Sequence, residues 1–205
     1  MTYTNYIKRL IDIFGAIAGI AVLALPMFII AICVVADSKG PVLFRQKRVG
    51  KNKEHFNILK FRTMRVDAPK DCPTHMLNNA ESCITKVGAF LRKTSMDEFP
   101  QLFNILVGQM SFVGPRPALW NQYDLIEERD KYGANDIVPG LTGWAQINGR
   151  DELEIPVKAK LDGEYVEKQS FLFDAKIFFS TFIKVFKKDG IQEGTQPSYK
   201  LEPTK

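Results

Sequence analysis

An uncharged run of 24 residues, Ile13 to Ala36, carries Pro26 near its middle. At ~1.5 Å per residue, a helix of this length can cross a ~30 Å hydrocarbon core. Basic residues flank it on both sides, Lys8 and Arg9 before and Lys39, Arg45, Lys47 and Arg48 after. Lys and Arg beside a membrane segment favour the cytoplasmic side, so two basic ends argue against a simple crossing. Pro26 has no N–H and crowds the Val22 carbonyl, which predicts a kink. A re-entrant helix that dips into one leaflet, turns at Pro26 and returns satisfies both ends. A single-pass anchor is the alternative, since membrane helices tolerate proline. A signal peptide fits poorly, because its apolar core is usually ~7–15 residues.

About 165 of the 205 residues remain beyond this segment and its lead-in, enough for one compact domain. The net charge is +5, and cations concentrate between Lys39 and Lys70. A basic stretch beside a membrane segment suits an anionic leaflet, an anionic substrate, or both. Nucleic acid is the rival partner for a basic chain, and a membrane tether argues against it. Cys33, Cys72 and Cys83, with His55 and His75, show no zinc or redox spacing. Cys33 is expected as inert packing, and the set suits a reducing cytoplasm.

Val42–Phe44 and Phe56–Phe61 read as strands joined by a polar turn at Gly50-Lys51-Asn52. Residues 66–80 read as a mobile loop. Thr85–Leu91 and Gln101–Val107 read as short helices, and another is expected from about Leu119 to Lys131. Pro139–Arg150 reads as glycine-rich loop. Phe171–Lys188 places Leu172, Ala175, Phe179, Phe182, Ile183 and Phe186 on one helical face. That suits either a helix in a membrane interface or one packed on a core.

The residues richest in chemistry are Ser95-Met96-Asp97-Glu98-Phe99-Pro100-Gln101. Proline is tolerated in a first turn, which predicts a helix start near Asp97. There the dipole keeps a carboxylate ionised. Ser95 and Glu98 also have capping-box spacing, and Asp97 could itself be an N-cap, so capping accounts for the same residues. An ionised aspartate at such a place can equally serve as a nucleophile or Mg²⁺ ligand. In Gly114-Pro115-Arg116-Pro117, two prolines restrict the backbone around a guanidinium suited to phosphate. Lys60 and Arg62 share one face of a strand by alternation, and Arg92 precedes the carboxylate pair. Together these cations point to a polyanion bridged by Mg²⁺, such as a diphosphate.

The segments KFRTM (60–64), LRKTSMDEFPQLFN (91–104), MSFVGPRP (110–117), PGLTGWAQINGR (139–150) and DAKIFFST (174–181) resemble the bacterial sugar transferases. More narrowly, they resemble small monotopic phosphoglycosyl transferases, over about residues 5 to 195. The resemblance implies transfer of a sugar-1-phosphate from a UDP-sugar to undecaprenyl phosphate, with release of UMP. It makes Asp97 the nucleophile and a Mg²⁺ ligand, with Glu98 completing the dyad. Arg116 and Arg92 would bind phosphate, and Gln146 and Arg150 would lie near the nucleotide or sugar. Asp162 matches an aspartate often found after that loop. The product would feed downstream glycosyltransferases. Three positions depart from the usual pattern: Val138 where a basic residue is common, Phe99 for leucine, and Leu25 where serine often precedes the proline.

The expected fold is α+β and mostly helical. It combines a re-entrant membrane helix kinked at Pro26 (residues 1–38), a small β-hairpin, and a compact catalytic domain with interfacial amphipathic helices (39–190). A loosely ordered tail follows (191–205). The expected location is the cytoplasmic face of a bacterial inner membrane, with membrane lipids as neighbours and a homodimer among the open oligomeric states. The rivals are direct transfer with Asp97 and Glu98 as Mg²⁺ ligands only, and a non-catalytic module that binds anionic lipid. The donor sugar is not legible; the ending Asp189-Gly190-Ile191…Glu193-Gly194 is similar to that of family members that start protein glycosylation with an acetamido-sugar.

Overall fold

A computed structural model describes residues 3–68, 80–149 and 153–187. Most of the expected 66–80 loop, Cys72, His75, Arg150 and the tail lie outside the described residues. After a short π-helical turn at Tyr3–Ile7, helix α1 spans Lys8–Asp37 with Pro26 inside it. It is long and apolar enough to cross a membrane. Strands β1 (Leu43–Val49) and β2 (His55–Phe61) form an antiparallel hairpin pairing Leu43 with Phe61 and Val49 with His55. Then come α2 (Ala80–Cys83), α3 (Lys86–Thr94), α4 (Gln101–Leu106), β3 (Ser111–Val113), α5 (Tyr123–Asp130), β4 (Gly140–Thr142), α6 (Trp144–Ile147), α7 (Ile155–Lys168) and α8 (Phe171–Lys187). The molecule is therefore mostly helical α+β.

Pro139–Arg150, expected as loop, contains β4 and α6. Strand β4 pairs in parallel with β3, Ser111 opposite Gly140 and Val113 opposite Thr142. The chains approach so closely there that a Cβ on Gly140 would lie 2.1 Å from the Gly114 nitrogen. Only glycine leaves room for that approach.

Helix α1 does not stand apart from the rest. Ala16, Ile20 and Leu23 pack with Phe56, Ile58, Leu102, Ile105 and Met110. Further along, Met27, Ile30, Ala31 and Val34 pack with Phe61, Leu91, Met96 and Phe99. At its start, Lys8 Nζ lies 2.5 Å from Asp174 Oδ2 on α8, and Asp12 accepts from Ser111 Oγ and Phe112 N–H, both at 3.0 Å. At its end, Asp37 accepts from Val87 N–H at 2.9 Å. The opposite face exposes Phe14, Val22, Leu25, Phe28 and Ile32. Cys33, expected as packing, is on the exposed side.

Helix α8 carries a similar outward apolar surface. Leu172, Phe179 and Ile183 are exposed, while Asp174 and Ile177 are buried. Of the stripe read from the sequence, Leu172, Phe179 and Ile183 thus face away from the domain, while Ile177 joins Val113, Ile147 and Tyr165 inside.

Candidate active site

Asp97 and Glu98 occupy one 3-10 turn, Met96–Glu98, wedged between α3 and α4. Ser95 before it is left-handed, with φ 55°, and ends α3 by donating its N–H to the Arg92 and Leu91 carbonyls. The expected capping box does not form, because Ser95 is occupied in terminating the previous helix and its side chain makes no cap bond. Helix α4 begins only at Gln101, after Pro100. The turn points Asp97 inward, leaving it 8% exposed.

Long-range packing brings cations to this turn. Lys60, near the end of β2, donates to Glu98 Oε1 at 2.7 Å and lies 3.7 Å from Asp97 Oδ2. Arg116 Nη2 donates to the same Glu98 oxygen at 3.1 Å. Arg92 Nε donates to Thr63 Oγ1 at 2.9 Å, and its charge acts on Asp97. The Arg92–Thr63 contact depends on Gly88, which lets α3 lie directly against the backbone of Thr63. Thr63 was not singled out from the sequence; its place next to two expected cations was the available signal.

The two carboxylates have opposite electrostatics. Burial is the largest influence on Asp97 and pushes its carboxyl above the usual aspartate value, helped by Glu98 and opposed by Lys60, Arg92 and Arg116. Burial also pushes Glu98 up, but the charges and hydrogen bonds of Lys60 and Arg116 outweigh it and hold Glu98 well below the usual carboxylate range. Glu98 is therefore a fixed anion that organises two cations. Asp97 is a desolvated carboxylate with a weaker hold on its charge, suited to reacting or meeting a cation.

A cavity of about 1440 Å³ opens onto the dyad. It exceeds the ~300–1,000 Å³ typical of small-molecule pockets. Its wall includes Lys60, Arg92, Asp97, Glu98 and Arg116, and also Gln46, Arg129, Gln146 and Asp162. Apolar wall comes from Leu23, Leu102, Phe112 and Phe178.

Three expected substrate contacts have other partners. Arg62, just past the end of β2 at Phe61, lines the same cavity as Lys60 but does not pair with the dyad. Its guanidinium instead donates to the carbonyls of Val34, Ser38 and Lys39 and to Ser38 Oγ, closing the end of α1. Asp162 is 1% exposed and accepts from Arg129 Nε at 2.8 Å and Nη2 at 2.6 Å. Gln146 donates to the Leu141 carbonyl at 3.0 Å. Arg129 gave no signal in the sequence, where it sits within the acidic run of α5.

No group of three or more His, Cys, Asp or Glu side chains converges among the described residues. The Asp97–Glu98 pair still fits Mg²⁺, which usually takes one or two carboxylates and completes its shell with water and substrate phosphates. Glu98 is committed to Lys60 and Arg116, so Asp97 is the better candidate ligand.

The bacterial sugar transferase family model matches residues 3–188. The chain is 39% identical over 184 residues to the undecaprenyl-phosphate glucose phosphotransferase of Komagataeibacter xylinus, covering 85% of this chain and 35% of that protein. It is 40% identical over 188 residues to the UDP-glucose:undecaprenyl-phosphate glucose-1-phosphate transferase of Escherichia coli, covering 88% of this chain and 40% of the relative. It thus spans well under half the length of these two. Against the sugar transferase EpsL of Bacillus subtilis, identity is 40% over 188 residues and 91% of both chains is covered. By the family match and these identities, the chain belongs to the bacterial sugar transferase family.

Proposed function

We propose that this protein transfers a sugar-1-phosphate from a UDP-sugar to undecaprenyl phosphate, the lipid-linked product then feeding glycosyltransferases. The observation that carries the reading is the buried Asp97, with Lys60, Arg92 and Arg116 around its turn, facing a cavity large enough for more than one ligand. Two relatives named as transferring sugar phosphate to undecaprenyl phosphate support the same reaction.

In this mechanism an Asp97 carboxylate oxygen attacks the β-phosphorus of the UDP-sugar. The bond from that phosphorus to the bridging oxygen breaks, and UMP leaves with the electron pair. The sugar phosphate is then an acyl-phosphate on Asp97. A phosphate oxygen of the lipid attacks the same phosphorus and returns the carboxylate. Splitting the transfer admits one polyanion at a time. Arg116 and Arg92 bind phosphate oxygens, and Lys60 with Glu98 holds the turn and orients Arg116. Mg²⁺ on Asp97 would neutralise charge on the diphosphate.

The site belongs at the cytoplasmic face of the inner membrane. Both ends of α1 are bonded to the rest of the molecule, at Asp174 and at Val87, and basic residues lie at each end, Lys8 and Arg9 at the start and Lys39 just beyond the finish. A helix held along its domain in this way, turning at Pro26 within one leaflet, suits a monotopic enzyme. Its outer apolar face and that of α8 would meet lipid.

The test is UMP release by purified protein with Mg²⁺, across a panel of UDP-sugars, with and without undecaprenyl phosphate. Lipid-dependent turnover establishes the reaction and names the donor. Stoichiometric UMP without lipid, abolished in Asp97→Asn, supports the covalent route. UMP release that strictly requires lipid and leaves no labelled protein favours direct transfer.

A further inference from the structure

We infer that Arg48, on the hairpin, is a positioning residue that fixes where Arg116 stands. The inference rests on the reading of Arg116 as a phosphate-binding residue. Gln46 and Arg48 share one face of β1. The Gln46 side-chain oxygen accepts from Arg48 Nε at 3.0 Å and from Nη2 at 2.5 Å. This turns the remaining guanidinium nitrogen, Nη1, onto the Pro117 carbonyl at 3.0 Å.

Pro117 directly follows Arg116, and the loop is held on both sides of it. Gly114 N–H donates to Thr142 O at 2.8 Å, and Gly140 N–H to Pro115 O at 2.9 Å. On the other side, Val49 N–H donates to Ala118 O at 2.9 Å, beside the antiparallel bridge between Arg48 and Leu119. Three of these bonds are backbone to backbone. The fourth, from Arg48, is a side-chain bond that mutation can remove without altering the loop's own sequence.

The consequence concerns register between two cations. Lys60 and Arg116 meet on one oxygen of Glu98, yet they come from different parts of the chain. Lys60 stands on β2 of the hairpin, and Arg48 stands on β1 of the same hairpin. The Arg48–Pro117 bond therefore ties the loop bearing Arg116 to the element bearing Lys60. The Arg116 side chain is 40% exposed, so its backbone anchorage matters more than packing around it. A fork displaced by a fraction of an ångström loses much of its grip on a transferring phosphoryl group.

The experiment is a double-mutant cycle on UMP release with the UDP-sugar that the donor panel selects, using the whole chain. The variants are Arg48→Ala, Arg48→Lys, Arg116→Ala and the double Arg48→Ala/Arg116→Ala. Arg48→Ala should lower kcat/KM by about ten- to a hundred-fold. In the Arg116→Ala background, the same substitution should cost less than about two-fold, because its route of action is already gone. Arg48→Lys keeps one donor for Pro117 and should restore part of the loss, which guards against a variant that fails to fold. Equal losses in both backgrounds, or no loss in Arg48→Ala, overturn the inference while leaving the transferase reading intact. Wild-type protein that releases no UMP from any donor overturns that reading, and the positioning role with it.

Discussion

A β-carbon placed on Gly88 would lie 2.0 Å from the carbonyl oxygen of Thr63. Helix α3 thus rests on the strand exit through a glycine, and Arg92 one turn later reaches Thr63 Oγ1. Gly88→Ala forces backbone apart, since the three nearest atoms, Thr63 O, C and Cα, are all backbone. Overpacking of this kind costs ~1–3 kcal/mol or more. Thermal unfolding in detergent should show a lowered midpoint. UMP release should fall beyond the stability effect, because Arg92 shifts with its helix.

Removing Lys60 separates two effects. Lys60→Met deletes the cation that both lowers Asp97 and pairs with Glu98. Asp97 is already raised by burial, so an activity that needs its carboxylate ionised declines as pH falls, at values above the usual aspartate range. In Lys60→Met that acid limb should move to still higher pH. A pH profile of kcat/KM reads the shift, and a limb that moves down would remove Asp97 from the nucleophile role.

Glu98 predicts the opposite stability slope. Its folded pKa is depressed, so its contribution is present above its unfolded value, near ~4.3, and is lost as pH falls through the folded value. Glu98→Gln should remove that portion of the acid sensitivity. Denaturant titrations of wild type and variant from neutral pH downward should converge at low pH.

Asp174 accepts from Lys8, Tyr3 and Tyr165, at 2.5, 2.7 and 2.8 Å. Lys8 and Asp174 side chains are 10% and 7% exposed, so breaking the pair strands a buried charge. Asp174→Ala should destabilise by ~3–5 kcal/mol. Lys8→Met/Asp174→Asn, which leaves no lone charge, should recover part of this in the same unfolding assay.

Arg62 offers a test of structural against substrate roles. It closes the end of α1 through several carbonyls. Arg62→Met should lower the unfolding midpoint while KM for the UDP-sugar stays within about three-fold. A hydrogen bond to a charged group is worth ~1.5–3 kcal/mol, which sets the expected loss.

The elements legible in the sequence were α1 by its apolar run, the β1–β2 hairpin around Gly50, and α3, α4, α5 and α8, although the first strand, read only as Val42–Phe44, runs on to Val49. Helix α7 was not read, because its inward positions include Asp162 as well as Ala159 and Tyr165, and a buried charge paired to Arg129 breaks an apolar stripe. The β3–β4 pair escaped because each strand is three residues long and the partners are far apart in sequence. At the site, local reasoning singled out Asp97 and Glu98 but read Ser95 as a cap. Only tertiary packing makes Ser95 the end of α3. The meeting of Lys60 with Glu98, 38 residues away, has no local signature. Arg62 followed the alternation rule past the point where the strand stops.

Helix α1 contributes Ala16 to one core and Val34 to another, each almost wholly enclosed by residues from β2, α3 and α4. A shortened protein lacking residues 3–37 would open both cores to water, beneath the very turn that carries Asp97. On the proposed membrane placement, the bilayer would cover the outer face of α1 and so close these cores from that side. A fragment without α1 should lose the active site, and detergents that peel α1 away should abolish catalysis and cooperative unfolding together.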